Sequence, residues 1–192
     1  MIGALADLSL VVVDVETTGW LEEQGEITEV GAVRLAAGGQ VTGEFSSLVR
    51  PRLPIPADIT ELTGITDDMV GHAPRPAAAL RAFLAFASDC VLVAHNAPFD
   101  VGFLTAACAA CQLAWPPVAV LDTAVMARLL LGPDEVPDCR LGTLADYFAA
   151  KTAPCHRALP DAKATADVLT GLLRVAAGIR PARPPRLISM AS

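Results

Sequence analysis

The chain is short of aromatic and of basic residues. Phe, Trp and Tyr make up 5% of its 192 residues, and 14 Lys and Arg face 21 Asp and Glu. The net charge of −7 comes without any basic stripe, which argues against a protein that grips a long nucleic-acid duplex through its phosphates. A site that admits only a few nucleotides and brings its own divalent cations escapes that exclusion. About four carboxylates facing two dications are nearly neutral. Long hydrophobic runs are missing too. The first apolar stretch breaks at Asp14, no basic n-region precedes it, and no stretch approaches the length of a membrane span. The expectation is a soluble, cytoplasmic protein with no membrane partner. Five cysteines (90, 108, 111, 139 and 155) form an odd set without disulfide spacing. Cys108-Ala-Ala-Cys111 has a zinc or redox spacing but no second ligand pair, which favours buried thiols.

Small aliphatics are plentiful. Hydrophobic residues, mostly Ala, Val and Leu, reach 53%, enough apolar content to offset the entropy of ordering one domain of ordinary size. Leu8 to Val13 is a continuous apolar run, as a central strand buried on both faces requires, and Glu16 to Gly25 reads as a loop. Glu26 to Leu35 and Val41 to Val49, joined through Gly38-Gly39, complete an antiparallel meander. After Pro51, Pro54 and Pro56 comes a helical region, in which Ala77 to Ala87 is amphipathic. Val91 to Ala94 is a short buried strand, and another short strand lies near Val118 to Leu121. Each feeds a helix, the first capped by Asn96 and running to about Cys111, the second capped by Asp122. Leu141 to Ala149 is a further helix, and Pro160 opens the last one. A meander followed by strand–helix alternation predicts a mixed sheet with helices on its faces.

Three acidic segments carry the chemistry. In Asp14-Val15-Glu16 strand alternation sends both carboxylates to one face, where they repel unless a proton or cation intervenes. Oxygen-rich sites of that kind suit Mg²⁺ or Mn²⁺. In His95-Asn96-Ala97-Pro98-Phe99-Asp100 the aspartate falls in the first turn of a helix, where the dipole also favours it. Phe99 has two readings, core packing or stacking on a base, and His95 is either a structural or a functional histidine. In His156-Arg157-Ala158-Leu159-Pro160-Asp161 a loop histidine stands five residues before an aspartate, offering a base and a ligand together.

In this order the segments resemble the Exo I, Exo II and Exo III motifs of the DEDDh, or DnaQ-like, 3′→5′ exonucleases. This is the family of the epsilon subunit of bacterial DNA polymerase III, ribonuclease T and oligoribonuclease. Asp14-Val15-Glu16-Thr17-Thr18-Gly19 is similar to the first motif, and the two histidine-led segments to the others. Glu61-Leu62-Thr63-Gly64-Ile65-Thr66 resembles the stretch that packs on the terminal nucleotide. No expected acid or histidine is missing, which disfavours a catalytically silent binding module.

The resemblance implies an α/β, ribonuclease H-like fold, a five-stranded mixed sheet flanked by helices, over residues 1–177. A short Pro/Arg-rich tail, expected to be mobile, occupies 178–192. It implies two divalent cations, Mg²⁺ or Mn²⁺, one held by Asp14, Glu16 and Asp161 and the other by Asp14 with Asp100. His156 would accept a proton from the attacking water, since an imidazole titrates near neutrality. Thr17, Thr18, Leu62, Ile65, His95, Asn96 and Phe99 are the expected substrate contacts, with core packing an equal reading for Leu62 and Ile65. Asp122 is expected to cap its helix rather than act as a fifth ligand, and Asp167 to face solvent or a local partner. The expected substrate is the 3′ end of single-stranded DNA, with RNA trimming as the alternative. The chain's end soon after the last motif suggests a freestanding enzyme. A polymerase or repair partner, and the choice between monomer and homodimer, stay open.

Overall fold

Val11, Val12 and Val13 are fully shielded from solvent, as an apolar run without a polar break demands of a strand covered on both faces. In the computed structural model, which describes residues 8–21 and 24–181, they belong to β1 (Leu10–Thr17). β1 pairs antiparallel with β2 (Ile27–Leu35), and β2 with β3 (Val41–Leu48), giving the expected meander. On its other edge β1 runs parallel to β4 (Val91–Ala94), and β4 to β5 (Val120–Asp122). The order is β3-β2-β1-β4-β5, a five-stranded mixed sheet.

Three helices follow the proline-rich segment: α1 (Ala57–Thr63), α2 (Asp67–Gly71) and α3 (Pro76–Phe86). After β4 come α4 (Pro98–Ala110), α5 (Thr123–Leu130), α6 (Leu141–Phe148) and α7 (Ala158–Ala176). Alternation along β1 divides the core between them. Val11, Val13 and Val15 pack with Leu80 and Phe83 of α3 and with Phe103 and Leu104 of α4. Leu10 and Val12 face Ala162, Ala166 and Leu169 of α7. Asp14 and Glu16 continue that second row, so both point toward the face that α7 covers. Cys108 is buried in the first cluster, as expected of an inert thiol. No described helix is long and apolar enough to cross a membrane.

A single glycine sets how closely α7 approaches. A Cβ on Gly31 of β2 would lie 2.1 Å from the backbone nitrogen of Leu159, so only glycine lets the first turn of α7 rest on the sheet. That contact holds Asp161 beside β1.

Four expectations need correction. β1 does not stop at Val13: pairing with β2 continues through Glu16↔Glu29, so both motif acids lie inside the strand. α7 begins at Ala158, two residues before Pro160, which sits in its first turn. Asn96 does not cap α4. It adopts φ +63° just before the N-cap residue Ala97, which makes no side-chain capping bond. The start of the tail is anchored: Ile179 donates its N–H to the Arg174 carbonyl, and Arg180 pairs with Glu135. Residues 182–192, the rest of that tail, lie outside the described residues.

Candidate active site

β4 accompanies β1 only as far as Val12↔Val93, which leaves the far end of β1 with one open edge. Asp100 of α4 fills it. Its Oδ1 accepts the Val15 N–H at 3.0 Å, which draws a third carboxylate to the strand that carries Asp14 and Glu16. Asp161 comes from the other side, on the first turn of α7. Its two oxygens accept the N–H groups of Cys155 at 2.8 Å and His156 at 3.2 Å, so one carboxylate folds the loop that presents the histidine. His156 itself is exposed and held at φ +56°, a conformation that a non-glycine residue keeps only when its neighbours fix it.

The neighbours do fix it. Beyond Asp161, the guanidinium of Arg157 donates Nε and Nη2 to the two oxygens of Glu29 at 2.9 and 2.8 Å, and Ala158 N–H adds a third bond at 3.0 Å. Glu29 is buried on β2, opposite Glu16. His156 therefore sits between two anchored segments. Ligand atoms of Glu16, His156 and Asp161 all lie within 4.8 Å of one another.

The electrostatics follow from this crowding. Burial, then Asp100, Asp161, Glu16 and Glu29 in turn, raise the Asp14 carboxyl well above the usual range. Glu16 is pushed up to about 7, by burial first and then by Asp161 and Glu29, with Arg157 opposing. Burial carries Asp100 to about 8 against the pull of the Val15 N–H, and it raises Asp161 against the loop N–H groups. Four carboxyls thus hold protons unusually tightly, the condition in which a divalent cation can take the protons' place. An oxygen-only donor set with an adjacent imidazole fits Mg²⁺ or Mn²⁺.

Above the acids opens a cavity of about 370 Å³. Asp14, Glu16, Asp100, Asp161 and His156 form its polar side, and Trp20, Ile59, Leu62 and Phe99 its apolar side. Of the expected substrate contacts, Thr17, Leu62, His95, Asn96 and Phe99 line it. Leu62 is 52% exposed, so its side chain is available to a ligand. Thr18 does not line the cavity. It exchanges bonds with Glu26, its N–H donating to the Glu26 carbonyl at 2.8 Å and its Oγ1 accepting the Glu26 N–H at 2.9 Å, which closes the loop after β1. Ile65 is 0% exposed and packs with Ile55 and Val70, so it belongs to the core.

Asp122 is a cap, as expected. It accepts from Ala124 and Val125 of α5, and also from Asn96 and Ala97, which pins the second motif's loop to β5. Asp167 takes the Lys151 N–H at 2.8 Å. His95 places Nδ1 2.9 Å from Thr123 Oγ1, and burial lowers its pKa. Sequence reasoning missed Trp20, which is 64% exposed and meets Phe99 edge-on at 5.9 Å between ring centroids. The available signal was an indole on a polar loop directly after the first motif in a chain with two tryptophans.

Residues 11–169 match the RNase_T exonuclease family. A putative bifunctional exonuclease/endonuclease protein of Mycobacterium tuberculosis is 50% identical over 176 residues, 88% of this chain and 27% of that protein. The PolC-type DNA polymerase III of Bacillus subtilis is 39% identical over 174 residues, 90% of this chain and 12% of the polymerase. The chain thus spans a minor part of the curated relatives it matches. Among solved structures, exonuclease X in complex with 5′ overhanging duplex DNA superposes with a TM-score of 0.68 at 27% identity, covering 88% of this chain and 93% of that one. Escherichia coli exonuclease I in complex with a dA16 oligonucleotide reaches 0.73 at 17% identity, over 88% and 41%, a likeness of fold alone. These neighbours share the ribonuclease H-like architecture. On the matched span and the three acidic segments it contains, this chain belongs to the RNase_T exonuclease family of DnaQ-like 3′→5′ exonucleases.

Proposed function

We propose that the chain hydrolyses the terminal phosphodiester at the 3′ end of single-stranded DNA, releasing 5′-mononucleotides one at a time. The observation that carries this reading is the convergence of four carboxyls and His156 on one side of a cavity whose other side is apolar. Its volume of about 370 Å³ falls in the range of small-ligand sites, roughly 300–1,000 Å³, and suits one terminal nucleotide better than a duplex. Asp14, Glu16, Asp100 and Asp161 would hold two divalent cations, Mg²⁺ or Mn²⁺. Bound there, these supply a positive clamp on the phosphate and on the attacking and leaving oxygens.

The chain's own residues supply the rest. Trp20, Phe99 and Leu62 pack on the terminal base, and such contacts accept every base. Thr17 and Asn96 line the path of the sugar and phosphate. His156, exposed at the cavity mouth and fixed by its anchored neighbours, takes the proton from the attacking water. PolC-type polymerases among the relatives make a DNA polymerase or repair factor the partner class favoured by this reading.

The test is incubation of 5′-labelled single-stranded DNA and RNA of one sequence with Mg²⁺, Mn²⁺ or EDTA, resolved on a sequencing gel. The expected result is a ladder shortening by one nucleotide, faster on DNA, lost in EDTA and lost in Asp14→Asn. Faster RNA shortening would transfer the reading to an exoribonuclease. Metal binding without a ladder on either polymer would overturn it.

A further inference from the structure

A second cavity, of about 700 Å³, opens beside the catalytic one, and His95 and Asn96 line both. Its outer walls carry two cations. The Arg128 side chain projects from α5, exposed and with no hydrogen bond or ion pair among the described residues, and its charge helps to lower the His95 pKa. Arg140 stands at the N-cap of α6 with its side chain 87% exposed, its Nε 4.0 Å from an oxygen of Asp138. Asp138 also lines the cavity, but one of its oxygens accepts the Arg140 N–H and it bonds the Thr143 side chain as well. α6 starts at this rim with no side chain capping its first turn, which leaves helix N–H groups for an anionic ligand.

Elsewhere many cations are committed. Arg52, Arg157, Lys163 and Arg180 pair with Glu26, Glu29, Glu44 and Glu135, and Arg34 bonds the Ser88 carbonyl. A strand whose 3′ nucleotide lies against the acid cluster has to lead its remaining phosphates away from those carboxylates. The apolar side offers them no partner. The His95–Asn96 border opens onto two arginines.

We propose that this second cavity seats the phosphate backbone upstream of the scissile bond, with Arg128 and Arg140 as its phosphate contacts. The inference rests on the proposed exonuclease reading and assigns the site a substrate class: a single strand several nucleotides long rather than a dinucleotide remnant. In a protein of net charge −7, two local cations supply what the surface as a whole does not.

The test compares wild type with Arg128→Ala/Arg140→Ala on dT12 and on the p-nitrophenyl ester of thymidine 5′-monophosphate, which has no upstream phosphate. Binding of fluorescent dT12 is measured in parallel by anisotropy across a salt series. Expected is a fall of at least tenfold in the dT12-to-ester ratio of kcat/KM at low salt, the scale of a lost charged hydrogen bond. The dependence of log affinity on log salt should flatten by about 1.4, or 0.7 for each lost phosphate contact. Arg128→Lys/Arg140→Lys should recover much of the salt slope, since the charges return. An unchanged ratio with an unchanged slope would overturn the proposal, as would absence of dT12 binding by wild type. Wild-type protein that binds dT12 with the full slope, loses the slope in the alanine variant, yet cleaves neither substrate would support this site while sinking the exonuclease reading.

Discussion

The acid cluster makes the cation-free fold sensitive to pH in a direction opposite to ordinary acid denaturation. A carboxyl whose pKa is raised in the fold binds its proton more tightly there than in the unfolded chain. Stability is then complete below the unfolded pKa and declines as pH climbs to the folded one. Glu16, moved from an ordinary 4.5 to about 7, loses that stabilisation between those two values. Tenfold in proton affinity is about 1.4 kcal/mol, so Glu16 alone costs the fold on the order of 3 kcal/mol by pH 8. Asp100, raised to about 8, acts in the same sense over a wider window. His95 opposes both below its ordinary 6.5, because burial lowers its pKa and its charging in acid destabilises the fold.

Comparison with Glu16→Gln removes this group's own titration together with its push on Asp14 and Asp100. At pH 4.5 in EDTA the two proteins should melt together, since a protonated Glu and a Gln are alike. At pH 8 the variant should be the more stable by about 3 kcal/mol, roughly 6–12 °C in Tm for a domain of this size. Saturating Mn²⁺ at pH 8 should close the gap by stabilising wild type, by about 2.7 kcal/mol at a hundred times Kd. A gap between the two melting temperatures that stays level from pH 4.5 to 8 in EDTA would refute the crowding argument. So would a wild type indifferent to Mn²⁺.

His156→Ala should lower kcat by at least on the order of 10²-fold in steady-state assays on dT12; an undiminished kcat would assign the proton transfer elsewhere. Trp20→Ala should raise KM about fivefold or more on oligonucleotides, the scale of one lost base stack, as steady-state assays on dT12 would reveal. Arg157→Ala should destabilise by about 2 kcal/mol in denaturant melts at pH 7. Glu29 is buried while the guanidinium side chain is 36% exposed, so the cost falls below that of breaking a fully buried pair. Glu29→Gln/Arg157→Ala should recover part of the loss, and a melt within about 0.5 kcal/mol of wild type for Arg157→Ala would mean the pair is decorative.

The acids and His156 were legible in sequence because each comes with a local reason: strand alternation, a helix start, a fixed offset. The expected strand end at Val13 is too early, since two acids one residue apart resemble a strand end. Pairing with β2 overrides that, because Glu16 has Glu29 and Arg157 beside it instead of solvent. For Ile65 the structure decides between two open readings in favour of the core: α1 ends at Gly64 in the left-handed conformation, which turns Leu62 outward and Ile65 inward. Asn96 looked like a cap because the true partner of its loop, Asp122, is 26 residues away. The Glu29–Arg157 pair spans 128 residues, beyond the reach of any local pattern.

Other acids near the cleft set a standard for what a structural carboxylate is in this fold. Asp122 accepts four backbone N–H groups, and Glu29 accepts two N–H groups of a guanidinium and the backbone N–H of Ala158. Each is compensated by the chain itself. Asp14, Glu16, Asp100 and Asp161 are different. Backbone N–H groups reach Asp100 and Asp161, but among the described residues no Lys or Arg forms an ion pair with any of the four, and all four lean toward the protonated form. Selection for stability alone would replace such residues by amides or hydrophobes, as it can with any buried group that the fold does not neutralise. Keeping them uncompensated is useful only if positive charge arrives from outside, and the part of the chain that bears this cost is the part that the proposed cations and the terminal phosphate would share.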